Sequence, residues 1–72
     1  MGPDTIDAQL DAWAHRFEAE LDREAEQGWC SYPSEIRVDY HNLRVVVTLA
    51  DDTLRILQLS STEHGLRPTP NV

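Results

Sequence analysis

The first third of the chain, residues 4–27, has the apolar spacing of an amphipathic helix. Asp4 or Thr5 can cap its first free N–H groups, and Gly28 is a natural end because glycine readily adopts a positive φ. The apolar residues recur every three or four positions and therefore fall in one stripe. The stripe consists of Ile6, Leu10, Trp13, Phe17 and Leu21, with Ala14 and Ala25 beside them.

Three later segments place apolar residues at every second position, as half-buried strands do. They span residues 35–40, 43–50 and 53–60, and two-residue links join them at 41–42 and 51–52. Links this short predict tight antiparallel hairpins. With two-residue turns, the facing residues are Ile36 and Val47, Val38 and Val45, Tyr40 and Leu43, Leu49 and Leu54, and Val47 and Ile56.

This register predicts an α+β fold of order αβββ, in which one long N-terminal helix packs on a three-stranded antiparallel β-meander in two layers. A slip of one residue would exchange the two faces of a strand, so the apolar matches specify the pairing. Residues 1–60 are the single predicted domain, and residues 61–72 are predicted to be a flexible C-terminal tail. The face toward the helix is predicted to contain Ile36, Val38, Tyr40, Leu43, Val45, Val47, Leu49, Leu54 and Ile56.

The opposite face of the predicted sheet is apolar for a surface. Three apolar residues are bordered there by three arginines: Arg37, Arg44, Val46, Arg55, Leu57 and Leu59. Exposed apolar patches mark interaction sites, so we predict that another copy of the chain, in a homodimer, or another protein covers this face. The alternatives are that the C-terminal tail folds back over the face or that the face is simply exposed.

The negative charge of the protein is concentrated in the predicted helix. The chain has 13 acidic residues, six arginines and a net charge of −7, and eight of the acids but only two arginines lie in residues 4–27. Charged outward faces are usual on helices, but like charges four residues apart cost about 0.2–0.5 kcal/mol per pair, and this uncompensated repulsion is the reason to consider a functional role as well. Five acids form one row, called the acidic stripe and predicted to lie opposite the apolar stripe: Asp7, Asp11, Glu18, Asp22 and Glu26.

We therefore predict a small non-enzymatic interaction module or inhibitor whose acidic stripe docks on a basic surface of another protein. A nucleic-acid-binding surface is one such partner, by analogy with small phage-encoded inhibitors of restriction or CRISPR complexes. The analogy rests on charge and size alone. Carboxylates four residues apart rise about 6 Å along a helix, whereas duplex DNA has one charge per about 1.7 Å. The alternatives are a solvated helix face and a self-associating structural or accessory subunit.

No motif for catalysis, cofactor binding or metal binding is visible. His15, His41, His64 and Cys30 lack the spacing of metal ligands, and a lone cysteine suits a reducing compartment. The acidity argues against direct binding to nucleic acid or anionic membranes. Without a signal peptide or an apolar run long enough to span a membrane, a cytoplasmic location is expected. Trp29 is expected to close one end of the core; an exposed Trp29 would instead be a contact residue.

Overall fold

The computed structural model describes residues 5–69 as one helix packed against one antiparallel sheet, which confirms the α+β prediction. The sheet has four strands in the order β1-β2-β3-β4, so the prediction of three strands is wrong. The elements are α1 (Ile6–Glu26), β1 (Pro33–Asp39), β2 (Arg44–Leu49), β3 (Leu54–Thr62) and β4 (Gly65–Pro68).

The helix begins and ends where its local chemistry directs. The Thr5 hydroxyl oxygen accepts a hydrogen bond from the Ala8 N–H at 3.1 Å and so caps the first turn. Gly28 follows the last turn with φ +82°, a conformation that glycine adopts without strain. Asp4, the other candidate cap, lies outside the described residues. The helix buries Leu10, Ala14, Leu21 and Ala25, while Trp13 and Phe17 pack partly buried against the core.

The register of the first hairpin is confirmed. Ile36 lies opposite Val47, and Val38 lies opposite Val45. Val45 and Val47 are fully buried on the face of the sheet that packs against the helix. The pairing holds because residues 35–39 of β1 alternate strictly, so a slip would turn every apolar residue of β1 to the other face.

The turn of this hairpin is longer than the two predicted residues. β1 ends at Asp39 and β2 begins at Arg44, so residues 40–43 form the loop. The Asp39 carboxylate accepts hydrogen bonds from the backbone N–H groups of His41 and Asn42, both at 3.1 Å. Leu43 closes the loop with φ +55°, which is uncommon for a residue with a branched side chain. These hydrogen bonds from the loop backbone to the Asp39 side chain hold the four-residue loop in place, as backbone hydrogen bonds do in a two-residue turn.

The register of the second hairpin is shifted by one residue, so the prediction for it is wrong. Leu49 donates its backbone N–H to the carbonyl oxygen of Thr53 at 2.8 Å, which makes a three-residue loop from 50 to 52. Asp51 accepts a hydrogen bond from the Thr53 N–H at 3.0 Å, and Asp52 adopts φ +70°. A turn followed by a left-handed residue is the usual three-residue hairpin loop, and aspartate tolerates both positions.

The shift exchanges the two faces of β3. Val45 faces Leu57 and Val46 faces Ile56. Leu59, predicted on the outer face, is 2% exposed in the core, and Leu57 packs against that core. Leu54 and Ile56, predicted beneath the helix, are each 57% exposed. The alternation could not reveal this error, because β3 has leucine or isoleucine on both faces.

The predicted tail contributes to the sheet. The boundary after residue 60 falls within β3, and β4 pairs antiparallel with the end of β3. Leu66 of β4 is 1% exposed and belongs to the core. The helix holds it through two bonds: the Leu66 N–H donates to Gln9 Oε1 at 2.8 Å, and Trp13 Nε1 donates to the Leu66 carbonyl at 3.0 Å. One leucine between glycine and proline gave too short a pattern to predict a strand.

Candidate functional site

The acidic stripe borders the apolar stripe instead of lying opposite it. At 100° per residue its centre lies about 100° from the centre of the apolar stripe. Asp7, Asp11 and Glu26 are exposed, whereas Glu18 and Asp22 are half-buried beside the sheet. The residues that point straight out to solvent include Ala12, Ala19 and Arg23. The stripe is therefore one flank of α1, next to the sheet.

The flank with the acidic stripe is the one on the side of β1. The hydroxyl of Tyr40, directly after β1, donates a hydrogen bond to Asp11 Oδ1 at 2.6 Å. The opposite flank of the helix faces β4 through Gln9 and Trp13. The helix thus lies across the inner face of the sheet, with its acids above the β1 edge.

The bond between Tyr40 and Asp11 makes the stability of the protein sensitive to high pH. The hydrogen bond to the Asp11 carboxylate, together with desolvation and the charges of Asp11 and Asp7, raises the pKa of Tyr40 above its ordinary value of 10.0. Because the folded-state pKa is the higher one, the stabilisation is complete below pH 10 and is lost as pH rises through the folded-state pKa.

We expect Tyr40 to ionise at a higher pH in the folded protein than in the unfolded chain, and Asp11→Asn to reduce that difference. Absorbance titration in a Tyr32→Phe background observes Tyr40 alone, because the chain has two tyrosines. A folded-state titration of Tyr40 that Asp11→Asn leaves unchanged would contradict the bond.

The carboxylates of the acidic stripe have no cationic partner within residues 5–69. The ion pairs of that part of the chain join Arg37 to Glu35, Arg44 to Asp39, and His64 to Glu63. Asp39 also accepts hydrogen bonds from the side chain and backbone of Asn42, which lower its pKa. Arg37 and Arg44 are therefore occupied by nearby acids, and the negative potential of the stripe is not neutralised by ion pairs within this region.

Next to the acidic stripe, β1 forms one open edge of the sheet. Leu49, the last residue of β2, and Thr53, directly before β3, form a backbone hydrogen bond. Because backbone groups alternate in direction along a strand, the odd-numbered residues of β2 direct their N–H and C=O groups toward β3, and the even-numbered residues direct theirs toward β1. In β1, Arg37 and Asp39 are paired with even-numbered residues of β2 and direct their backbone groups toward them. Ile36 and Val38 therefore direct their backbone N–H and C=O groups away from the sheet. No other strand within residues 5–69 pairs with this edge.

The outer face of the sheet has a small apolar patch, although not the predicted one. Val46, Leu54 and Ile56, here called the outer patch, lie on adjacent strands, and Leu54 and Ile56 are more than half exposed. Of the six residues predicted for self-association, Arg37, Arg44 and Val46 lie on this face. Arg55, Leu57 and Leu59 lie on the helix side, because the register of β3 is shifted.

Trp29 does not close the core, contrary to the first expectation. It is 73% exposed and borders an open cleft of about 440 Å³ at the C-terminal end of α1. The cleft is also lined by Glu20, Arg23, Glu24 and Gln27. Cys30 is half-buried and packs against the core. An exposed tryptophan is a frequent contact residue at protein interfaces.

Within residues 5–69 no group of three or more His, Cys, Asp or Glu side chains is arranged to hold a metal ion. The same region contains no helix that is both long and apolar enough to cross a membrane. The chemistry that the described surface offers is charge, backbone hydrogen bonding at one edge, and exposed apolar area.

Comparison with protein families, curated proteins and solved structures found no match by any of the three routes.

Proposed function

We propose that the protein is a small non-enzymatic interaction module, or inhibitor, whose acidic stripe docks on a basic surface of another protein. The supporting observation is that five carboxylates follow one flank of α1 and form no ion pair within residues 5–69. Repulsion along the stripe costs stability, and a cationic partner would relieve it. A nucleic-acid-binding groove is one basic surface of this kind.

The position of the stripe affects what it can bind. If the acids lay on the helix face opposite the sheet, a partner would contact the helix alone. A row on the β1 flank has the sheet edge beside it, and Glu18 and Asp22 are already partly shielded from water. Ionic contacts are stronger where water is partly excluded, so these two carboxylates are expected to contribute most to affinity.

The test compares capture of the natural partner by the wild-type chain and by a variant with Asp11→Asn, Glu18→Gln and Asp22→Asn. We expect wild-type capture to fall steeply as salt rises and the neutralised variant to capture little even at low salt. The matched control neutralises Glu20 and Glu24 on the other flank and is expected to bind like the wild type. Capture that is insensitive to salt and to all three substitutions would exclude the proposal.

A second candidate function is self-association through the outer face of the sheet. The observation that favours it is the exposure of Leu54 and Ile56, which are adjacent residues of one face on β3. In this case the acids serve solubility, and the protein acts as a structural or accessory subunit. Sedimentation of the wild-type chain and of Ile56→Asp distinguishes a dimer held by this face from a monomer.

A further inference from the structure

The open edge of β1 offers backbone groups that are ready to pair with another strand. Ile36 and Val38 direct their N–H and C=O groups outward from residues 35–39, the part of β1 that pairs with β2 without a register shift. The other edge of the sheet, β4, has four residues and ends in Pro68, which cannot donate to a ladder. Strand addition is therefore open at β1 and blocked at β4.

The charges around this edge define what can pair with it. A strand added to β1 would lie about 4.8 Å outside it, under the flank of α1 that contains Asp11, Glu18 and Asp22. Glu35 and Asp39 lie on the other face of β1. These two acids are paired with Arg37 and Arg44, so the carboxylates without a cationic partner that an added strand would meet are those of the acidic stripe, on its inner face.

From the edge and its charges we propose that β1 binds an extended basic segment of a partner protein by strand addition. The backbone of that segment pairs with Ile36 and Val38, and its lysine or arginine side chains reach the acidic stripe. The spacing is suitable, because residues i and i+2 of a strand are about 6.7 Å apart and carboxylates four residues apart on a helix about 6 Å. This inference rests on the proposed function and specifies its binding mode.

A second copy of the chain does not suit this edge. Antiparallel pairing of β1 with β1 of another copy would place both helices on the same side of the joined sheet, with their acidic stripes facing each other. Like charges at an interface oppose association. The same acids that attract a basic segment therefore prevent the open edge from pairing with itself, a common problem of edge strands.

The experiment titrates the full chain with a peptide of alternating lysine and valine, and with two versions N-methylated at either the lysines or the valines. Methylation removes backbone donors but keeps the charge. We expect the unmodified peptide to bind at low salt, and only one methylated version to lose affinity by about tenfold or more, as for a lost hydrogen bond or two. Equal binding of all three peptides would overturn strand addition.

Two variants of β1 give a second, independent measurement. Val38→Pro removes the outward N–H and is expected to weaken binding of the unmodified peptide, whereas Val38→Ala keeps that N–H and is expected to bind like the wild type. Circular dichroism shows whether each variant is folded. If Val38→Pro is unfolded, the comparison of the methylated peptides alone tests strand addition.

The triple variant of the acidic stripe distinguishes the two proposals. Binding that depends on the stripe but not on peptide methylation or Val38→Pro would leave the proposed function standing and overturn strand addition. No binding of any peptide to the wild-type chain at low salt would overturn strand addition as well, while salt-sensitive capture of the natural partner would still support the proposed function.

Discussion

Leu59→Asp is expected to unfold the chain. Leu59 is 2% exposed and belongs to the core cluster with Val45 and Leu66. Truncating a buried leucine alone costs about 2–5 kcal/mol, and a carboxylate placed there without a partner adds a desolvation cost. A domain of this length has a total stability of about 4–11 kcal/mol. Far-UV circular dichroism and urea denaturation measure the loss.

Ile56→Asp is the matched control, because it introduces the same carboxylate three residues earlier on the same strand. Ile56 is 57% exposed on the outer face, so this variant is expected to remain folded. The two-residue turn predicted from sequence would reverse the two results, since it places Ile56 beneath the helix. A folded Leu59→Asp and an unfolded Ile56→Asp would show that the observed register is wrong.

Leu66→Ala is expected to destabilise the protein by about 2–4 kcal/mol, as for a fully buried leucine whose removal leaves a cavity. Leu66 is 1% exposed, and its backbone holds β4 to the helix through Gln9 and Trp13. A chain that ends after Thr62 loses all of β4 and leaves the Trp13 indole N–H without its acceptor, so it is expected to be less stable still. Urea denaturation of both variants gives the difference in free energy of unfolding.

Arg67→Ala is the control for β4. Arg67 is exposed and its guanidinium donates only to the neighbouring Leu66 carbonyl within the described residues, so its removal is expected to change stability by less than about 0.5 kcal/mol. If Leu66→Ala were as mild as Arg67→Ala, residues 65–68 would not be part of the core, and the tail predicted from sequence would be the better description.

Gly65 explains why β4 can approach the helix so closely. Its φ is +97°, and a Cβ at this position would lie 2.7 Å from Gln9 Oε1. A side chain would therefore meet both backbone strain and the side chain that binds the Leu66 N–H. A single glycine after a two-residue turn is a weak signal in sequence, and its meaning depends on a helix residue 56 positions earlier.

The candidate site was only partly predictable. The five acids of the stripe follow from helical spacing alone. Their place on the β1 flank depends on which way the helix lies across the sheet, and the contact between Tyr40 and Asp11, which are 29 residues apart, shows that orientation. The open edge of β1 follows from the order of the strands, which no local pattern specifies.

Sequence by itself determined the helix, the position of its cap to within Asp4 or Thr5, the three strand segments and the register of the first hairpin, because each depends on periodicity or on side chains within a few residues. Tertiary structure decided the face of β3, the existence of β4 and the exposure of Trp29. The physical reason is that β3 is apolar on both sides. The side that carries Leu57 and Leu59 packs next to Val45 and Leu66 in the core, and the loop of Asp51 and Asp52 accommodates the shift.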